Sequence, residues 1–147
     1  MRLTPVGLGL AVEKQAASFT ASYRQTQVPA HCPMSAISTH VLNLATGLPA
    51  RNLSVVLESQ GPLRTWRKIG DGRTDADGRV EDLVPPGVRI QTGFYRLTFD
   101  VASYFRSQNG ASFYPEIAIT FGVQDPTQRH HIPLLIGPFG YTTYRGS

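Results

Sequence analysis

The sequence predicts an all-β sandwich carrying one short helix, on three observations. Apolar residues recur with period two in several separate stretches, turn-forming residues punctuate them, and only one stretch lacks the β-branched residues that favour strands. The first stretch is Ser38-Thr39-His40-Val41-Leu42, a strand that carries an imidazole. Leu53, Val55 and Leu57 then alternate with Ser54, Val56 and Glu58. Tyr95, Leu97, Phe99 and Val101 alternate with Phe94, Arg96, Thr98 and Asp100, and Ile117, Ile119, Phe121 and Val123 keep the same period. Turn chemistry separates these runs at Thr46-Gly47, Gly61-Pro62, Gly70-Asp71-Gly72, Asp77-Gly78, Pro85-Pro86-Gly87 and Asp125-Pro126. Roughly seven or eight strands joined this way make a sandwich. The helix is expected over Ala102–Gln108, ended by Asn109-Gly110, residues that tolerate the left-handed conformation.

The last strand opens at His130 and His131 and leads into Tyr141, Tyr144 and Arg145, so the end of the sequence reads as a docked edge strand. Alternation puts His130 on one face with Ile132, Leu134 and Ile136, and His131 on the other with Pro133, Leu135 and Gly137. Only one of the two can face the apolar layer.

A length of 147 residues with 41% hydrophobic content suits one domain with a sizeable core. Residues 34–147 form that domain. Residues 1–33, rich in Ala, Ser, Thr, Gln and Pro with the single acid Glu13, read as a mobile extension or targeting segment, and Met34 is an alternative start. The net charge of +4 is modest and no basic stripe is present, which points away from nucleic acid. No apolar run is long enough for a membrane span. Cys32 is the only cysteine, which excludes an intrachain disulfide or thiolate cluster.

The nucleophile elbow, the HExxH zinc helix, the phosphate-cradling loop and the dinucleotide fingerprint are all missing. Asp71, Asp75 and Asp77 read as turn residues bonded to their own backbone, with no calcium-loop pattern. Two strand imidazoles without a nearby cysteine or a third clear ligand fall short of a zinc site, so no metal or cofactor is expected. His31 lies in the extension and reads as solvated.

Ser38-Thr39-His40-Val41-Leu42-Asn43, Thr46-Gly47-Leu48-Pro49-Ala50, Thr74-Asp75-Ala76-Asp77-Gly78-Arg79, His131-Ile132-Pro133-Leu134-Leu135 and Tyr144-Arg145-Gly146-Ser147, in that order, resemble the 5-hydroxyisourate hydrolases, the transthyretin-related enzymes of urate breakdown. The resemblance spans Ser35 to Ser147 and ends on that family's distinguishing tetrapeptide. It implies a transthyretin-like β-sandwich of two antiparallel sheets with one short helix. It further implies a homotetramer, a dimer of dimers with sites lining the channel between dimers, in which Tyr144 to Ser147 would dock at a subunit interface. The implied reaction opens the ring of 5-hydroxyisourate to 2-oxo-4-hydroxy-4-carboxy-5-ureidoimidazoline.

Carried over by motif, His40, Arg79, His131 and Ser147 are the expected catalytic residues, and His40, Arg79, Tyr144, Arg145 and Gly146 the expected substrate contacts; His130 is a neighbour of the site. Such a hydrolysis needs an activated water, an oxyanion stabiliser and a proton for the departing nitrogen. His40 and His131 suit the proton steps, and Arg79 is a permanently charged fork suited to an anionic substrate. Tyr144 and the hydroxyl or terminal carboxylate of Ser147 would complete the hydrogen bonding. The alternative is a hormone carrier on the same fold, as in transthyretin, which lacks both this His/Arg/His set and the terminal tetrapeptide. Location in the peroxisome or cytosol is expected from relatives. Neither Arg2-Leu3 with Gly9-Leu10 nor Arg24 with His31 completes an N-terminal peroxisomal signal, and Arg145-Gly146-Ser147 is not a C-terminal one.

Overall fold

The computed structural model describes residues 37–81 and 83–147. The expectations for residues 1–33, His31, Cys32 and Met34 therefore lie outside the described residues. Among the described residues the chain runs β1 (Ile37–Asn43), β2 (Leu48–Pro49), β3 (Ser54–Gln60), a 3-10 turn (Pro62–Arg64), β4 (Trp66–Arg73) and β5 (Arg79–Val80). It continues through β6 (Gly93–Phe99), α1 (Val101–Ser107), β7 (Ile117–Val123), β8 (His130–Ile136) and β9 (Tyr141–Thr143). One sheet is ordered β2-β1-β8-β9, with β5 also on β1; the other is β4-β3-β6-β7.

Alternation does what period two demands. β1 buries Ile37, Thr39, Val41 and Asn43 and leaves Ser38, His40 and Leu42 half-buried on the other face. The inward faces of β3, β6, β7 and β8 meet it with Val55, Leu57, Leu97, Phe99, Ile117, Ile132, Leu134 and Ile136. Full burial of each such side chain contributes about 1.5–3 kcal/mol. Every strand pairing is antiparallel except β1 with β8, which run parallel from Ile37↔His130 to Asn43↔Ile136.

β6 stops at Phe99, two residues short of the expected Val101. The Asp100 carboxylate accepts a hydrogen bond from the Ser103 amide at 3.1 Å, so Asp100 caps a helix and Val101 becomes its first residue, buried against the core. The helix ends as expected, with Asn109 at φ 58° and the Gly110 amide donating to the Phe105 carbonyl.

Gly70-Asp71-Gly72, expected as a turn, instead lies inside β4. A Cβ on Gly70 would run into the carbonyl oxygen of Leu83, and one on Gly72 would stand 2.8 Å from Val80 Cγ1. These glycines admit a crossing segment; they do not reverse the chain. Ile69 is left over where the β3–β4 register passes from Leu57↔Gly70 to Glu58↔Lys68, a β-bulge. Asp71 accordingly pairs with Lys68 at 2.8 Å on the surface and is not a turn residue. Replacing Gly70 with alanine is expected to cost about 3 kcal/mol, because the obstacle is backbone and cannot rotate away. Urea unfolding followed by Trp66 fluorescence measures it, and a midpoint unchanged from wild type would remove the close-approach account.

The turn before β5 matches expectation. The Asp75 carboxylate accepts from the amides of Asp77 and Arg79, each at 2.9 Å, and the Gly78 carbonyl accepts from the Val41 amide at 2.7 Å. The second contact ties the turn to β1 and sets Arg79 opposite His40. At Asp125-Pro126 the carboxylate of Asp125 accepts from the hydroxyl and amide of Thr127, which holds its pKa below the ordinary carboxylate value.

Candidate functional site

Parallel pairing of β1 with β8 places Ser38 beside His131, and both point away from the apolar layer. His130 lies on the same side of β8 as Ile132, Leu134 and Ile136, so the alternation argument for the adjacent histidines holds. Ser38 Oγ and His131 Nδ1 lie 3.0 Å apart. This bond fixes the ring and leaves Nε2 as its reactive edge: a lone pair when Nδ1–H donates to the serine, a donor when the serine hydroxyl donates to Nδ1. Thr39 Oγ1 donates to the Ile132 carbonyl at 2.6 Å and locks the register.

The closing segment folds back along β8. β9 pairs Ile136↔Tyr141 through Leu134↔Thr143, and beyond it the Gly146 amide donates to the His131 carbonyl at 2.9 Å. The docked edge strand expected from the sequence is present, and it docks on the strand that carries His131. Gly146 lies flat against the imidazole: an added Cβ would stand 2.5 Å from His131 Cδ2, 3.1 Å from Cγ and 3.2 Å from Cβ. The ring is thus held by Ser38 at one nitrogen and by Gly146 across its face.

Around it opens a cleft of about 390 Å³ lined by Ser38, Thr39, Arg79, Glu81, Arg129, His131 and Ser147. Arg79, His131 and Ser147 of the expected set meet here. His40 is not part of the wall; it lies half-buried on the same face of β1 as Ser38, opposite Arg79 in the β1–β5 register. Tyr144 and Arg145 face a second, larger cleft of about 610 Å³, which shares His131 with the first and is lined also by His130, Asp125, Gln128, Phe121 and Thr143. Within one chain, therefore, Arg79, His131 and Ser147 line one cleft, Tyr144 and Arg145 line another that meets it at His131, Gly146 backs the ring, and His40 lines neither.

Electrostatics single out His131. Burial pushes its pKa below the usual histidine value, and electrostatic interaction with Arg79, His40 and Arg129 pushes the same way. The shift favours the neutral ring, the state a general base requires. Among the described residues no group of three or more His, Cys, Asp and Glu side chains is placed to hold a metal ion.

Four wall residues, Ser38, Thr39, Glu81 and Arg129, escaped sequence reasoning. Ser38 and His131 stand 93 positions apart, and only the parallel pairing of β1 with β8 joins them. Arg129 shares the two-residue spacing with His131 but precedes the strand, and Glu81 follows the two-residue β5. The one available signal was the shared face of Ser38 and His40.

Residues 37–146 match the HIUase/Transthyretin family. The chain is 40% identical over 114 residues to the 5-hydroxyisourate hydrolase of Mus musculus, covering 77% of this chain and 96% of that protein. Among solved structures, the Klebsiella pneumoniae 5-hydroxyisourate hydrolase superposes with a TM-score of 0.67 at 32% identity, covering 78% of this chain and 100% of that one. Sea bream transthyretin in complex with thyroxine superposes with a TM-score of 0.70 at 25% identity, over 75% of this chain and 93% of that one. The sandwich read from strand periodicity, and the transthyretin-like fold that the resemblance implies, are thus matched by solved relatives, and the chain belongs to the HIUase/Transthyretin family.

Proposed function

We propose that this protein hydrolyses 5-hydroxyisourate, opening its ring to 2-oxo-4-hydroxy-4-carboxy-5-ureidoimidazoline in urate degradation. The observation that carries the reading is an imidazole, held at Nδ1 by Ser38 and backed by Gly146, in one cleft with Arg79 and Ser147. Nε2 of His131 takes a proton from water, and the resulting hydroxide adds to the ring carbonyl. Arg79 offsets the charge that grows on the carbonyl oxygen. The tetrahedral adduct collapses with cleavage of the carbon–nitrogen bond, and the proton held by His131 passes to the departing nitrogen. His40, beside Arg79, orients the substrate, and the Ser147 hydroxyl positions the water. Tyr144 and Arg145, across the shared histidine, extend the substrate contacts. No cofactor enters these steps.

A hormone carrier on the same fold is the other reading. It would leave the oriented imidazole and the free guanidinium without a task. The test is the ultraviolet decay of freshly generated 5-hydroxyisourate: acceleration over the spontaneous rate supports the hydrolase, and spontaneous decay with correctly folded protein supports the carrier. If His131 is the base, kcat/KM falls on the acid side with a midpoint below the ordinary histidine value of about 6.5. Protonation removes the base, and both burial and neighbouring cations delay that protonation to lower pH. An acid midpoint above about 6.5 would contradict the assignment.

The same reading includes a homotetramer, a dimer of dimers, located in the peroxisome or cytosol. Phe113, Phe139 and Tyr144 are 72%, 83% and 57% exposed in the single chain, apolar surface of the kind an assembly covers. Light scattering of the purified protein tests the assembly, and a monomer at working concentration would defeat it.

A further inference from the structure

The cleft wall carries two guanidinium groups, the carboxylate of Glu81, and Ser147, whose terminal carboxylate is ion-paired to neither arginine. Arg79, Arg129 and Glu81 all border it and all are exposed. Among the described residues the ion pairs are Lys68 with Asp71 and Arg96 with Glu58, so neither cleft arginine is neutralised by an acid. Two permanently charged forks facing one space of about 390 Å³ create a positive potential that an anion relieves. They approach from different elements, Arg79 from β5 and Arg129 from the loop entering β8, and His131 lines the same wall.

We propose that Arg129 is a second substrate-binding residue, which draws an anionic, oxygen-rich heterocycle into the cleft and holds the end opposite to that held by Arg79. The assignment rests on the hydrolase reading of this cleft. Arg79 lies beside His40 and serves the reacting carbonyl, whereas Arg129 contacts substrate oxygens remote from the broken bond. Its charge also presses on His131 and favours the neutral ring. Glu81, the one acidic side chain of the wall, acts in the opposite sense by repelling the same anion.

Steady-state hydrolysis of 5-hydroxyisourate at low and high salt separates these roles. Arg129→Gln is expected to raise KM about three- to fivefold at low salt, the scale of one exposed charge contact, with kcat changed less than about twofold. Raising the ionic strength should shrink the difference between variant and wild type, because exposed charges are screened. Arg129→Lys should restore most of the affinity, and Glu81→Gln should lower KM by a similar factor. Wild-type KM in Arg129→Gln at low salt, or a loss confined to kcat, would overturn the assignment while leaving the hydrolase reading standing. Absence of hydrolysis by the wild-type protein would overturn both.

Discussion

Replacing His131 with asparagine is expected to lower kcat by about two to four orders of magnitude, the usual contribution of a positioned general base. Asparagine is the informative substitute because its side-chain amide can still reach Ser38, so the β1–β8 junction keeps a hydrogen-bonding partner. The native ring is half-buried and points away from the apolar layer, so its loss opens no core cavity. The melting temperature should therefore stay within a few degrees of wild type. His40→Asn is the necessary companion: His40 lies outside the cleft wall, and its loss is expected to weaken substrate binding more than kcat. Spontaneous hydrolysis sets the floor for both measurements. Wild-type kcat in His131→Asn would transfer the base role to His40 or to a group outside the cleft.

Adding a single methyl group at Gly146 is expected to reduce kcat about 10- to 100-fold without unfolding the protein. The new Cβ would stand 2.5 Å from Cδ2 of His131, and Cβ and Cγ of the same residue lie at 3.1 to 3.2 Å, so a change of ring torsion alone does not clear it. Either the ring swings and leaves Ser38, or the closing segment lifts and loses its hydrogen bond to the His131 carbonyl. Displacements of about 1 Å at a reacting group can cost on the order of 100-fold in rate. The closing segment is largely exposed in the single chain, so little of the protomer's own stability depends on it. Gly146→Ala with normal kcat and a normal His131 ring signal in NMR would show that the histidine needs no backing.

Most of the sandwich was legible because a buried face imposes period two on any strand that borders it. β3, β7 and β8 announced themselves in this way, and so did the helix through its Asn109-Gly110 ending. The errors fell where one residue type serves two purposes. Gly70 and Gly72 look like turn residues, but they make room for the segment near Leu83; Asp100 continues an alternating pattern, yet its carboxylate starts a helix. At the site, His40, Arg79 and His131 stood out as polar groups within recognisable segments. Ser38 and Arg129 did not, because their roles depend on which strands lie side by side, and β1 and β8 adjoin across 93 positions of sequence.

That long-range junction also dictates when the cleft comes into existence. During synthesis β1 emerges early and must wait for β8 before Ser38 gains its partner, and Gly146 arrives later still. Pairing so distant in sequence is slow to form and carries most of its loop-closure cost before any reward. The β4-β3-β6-β7 sheet, by contrast, joins segments nearer to one another in sequence. The cleft around His131 is therefore complete only once the segment that carries Gly146 has folded back along β8.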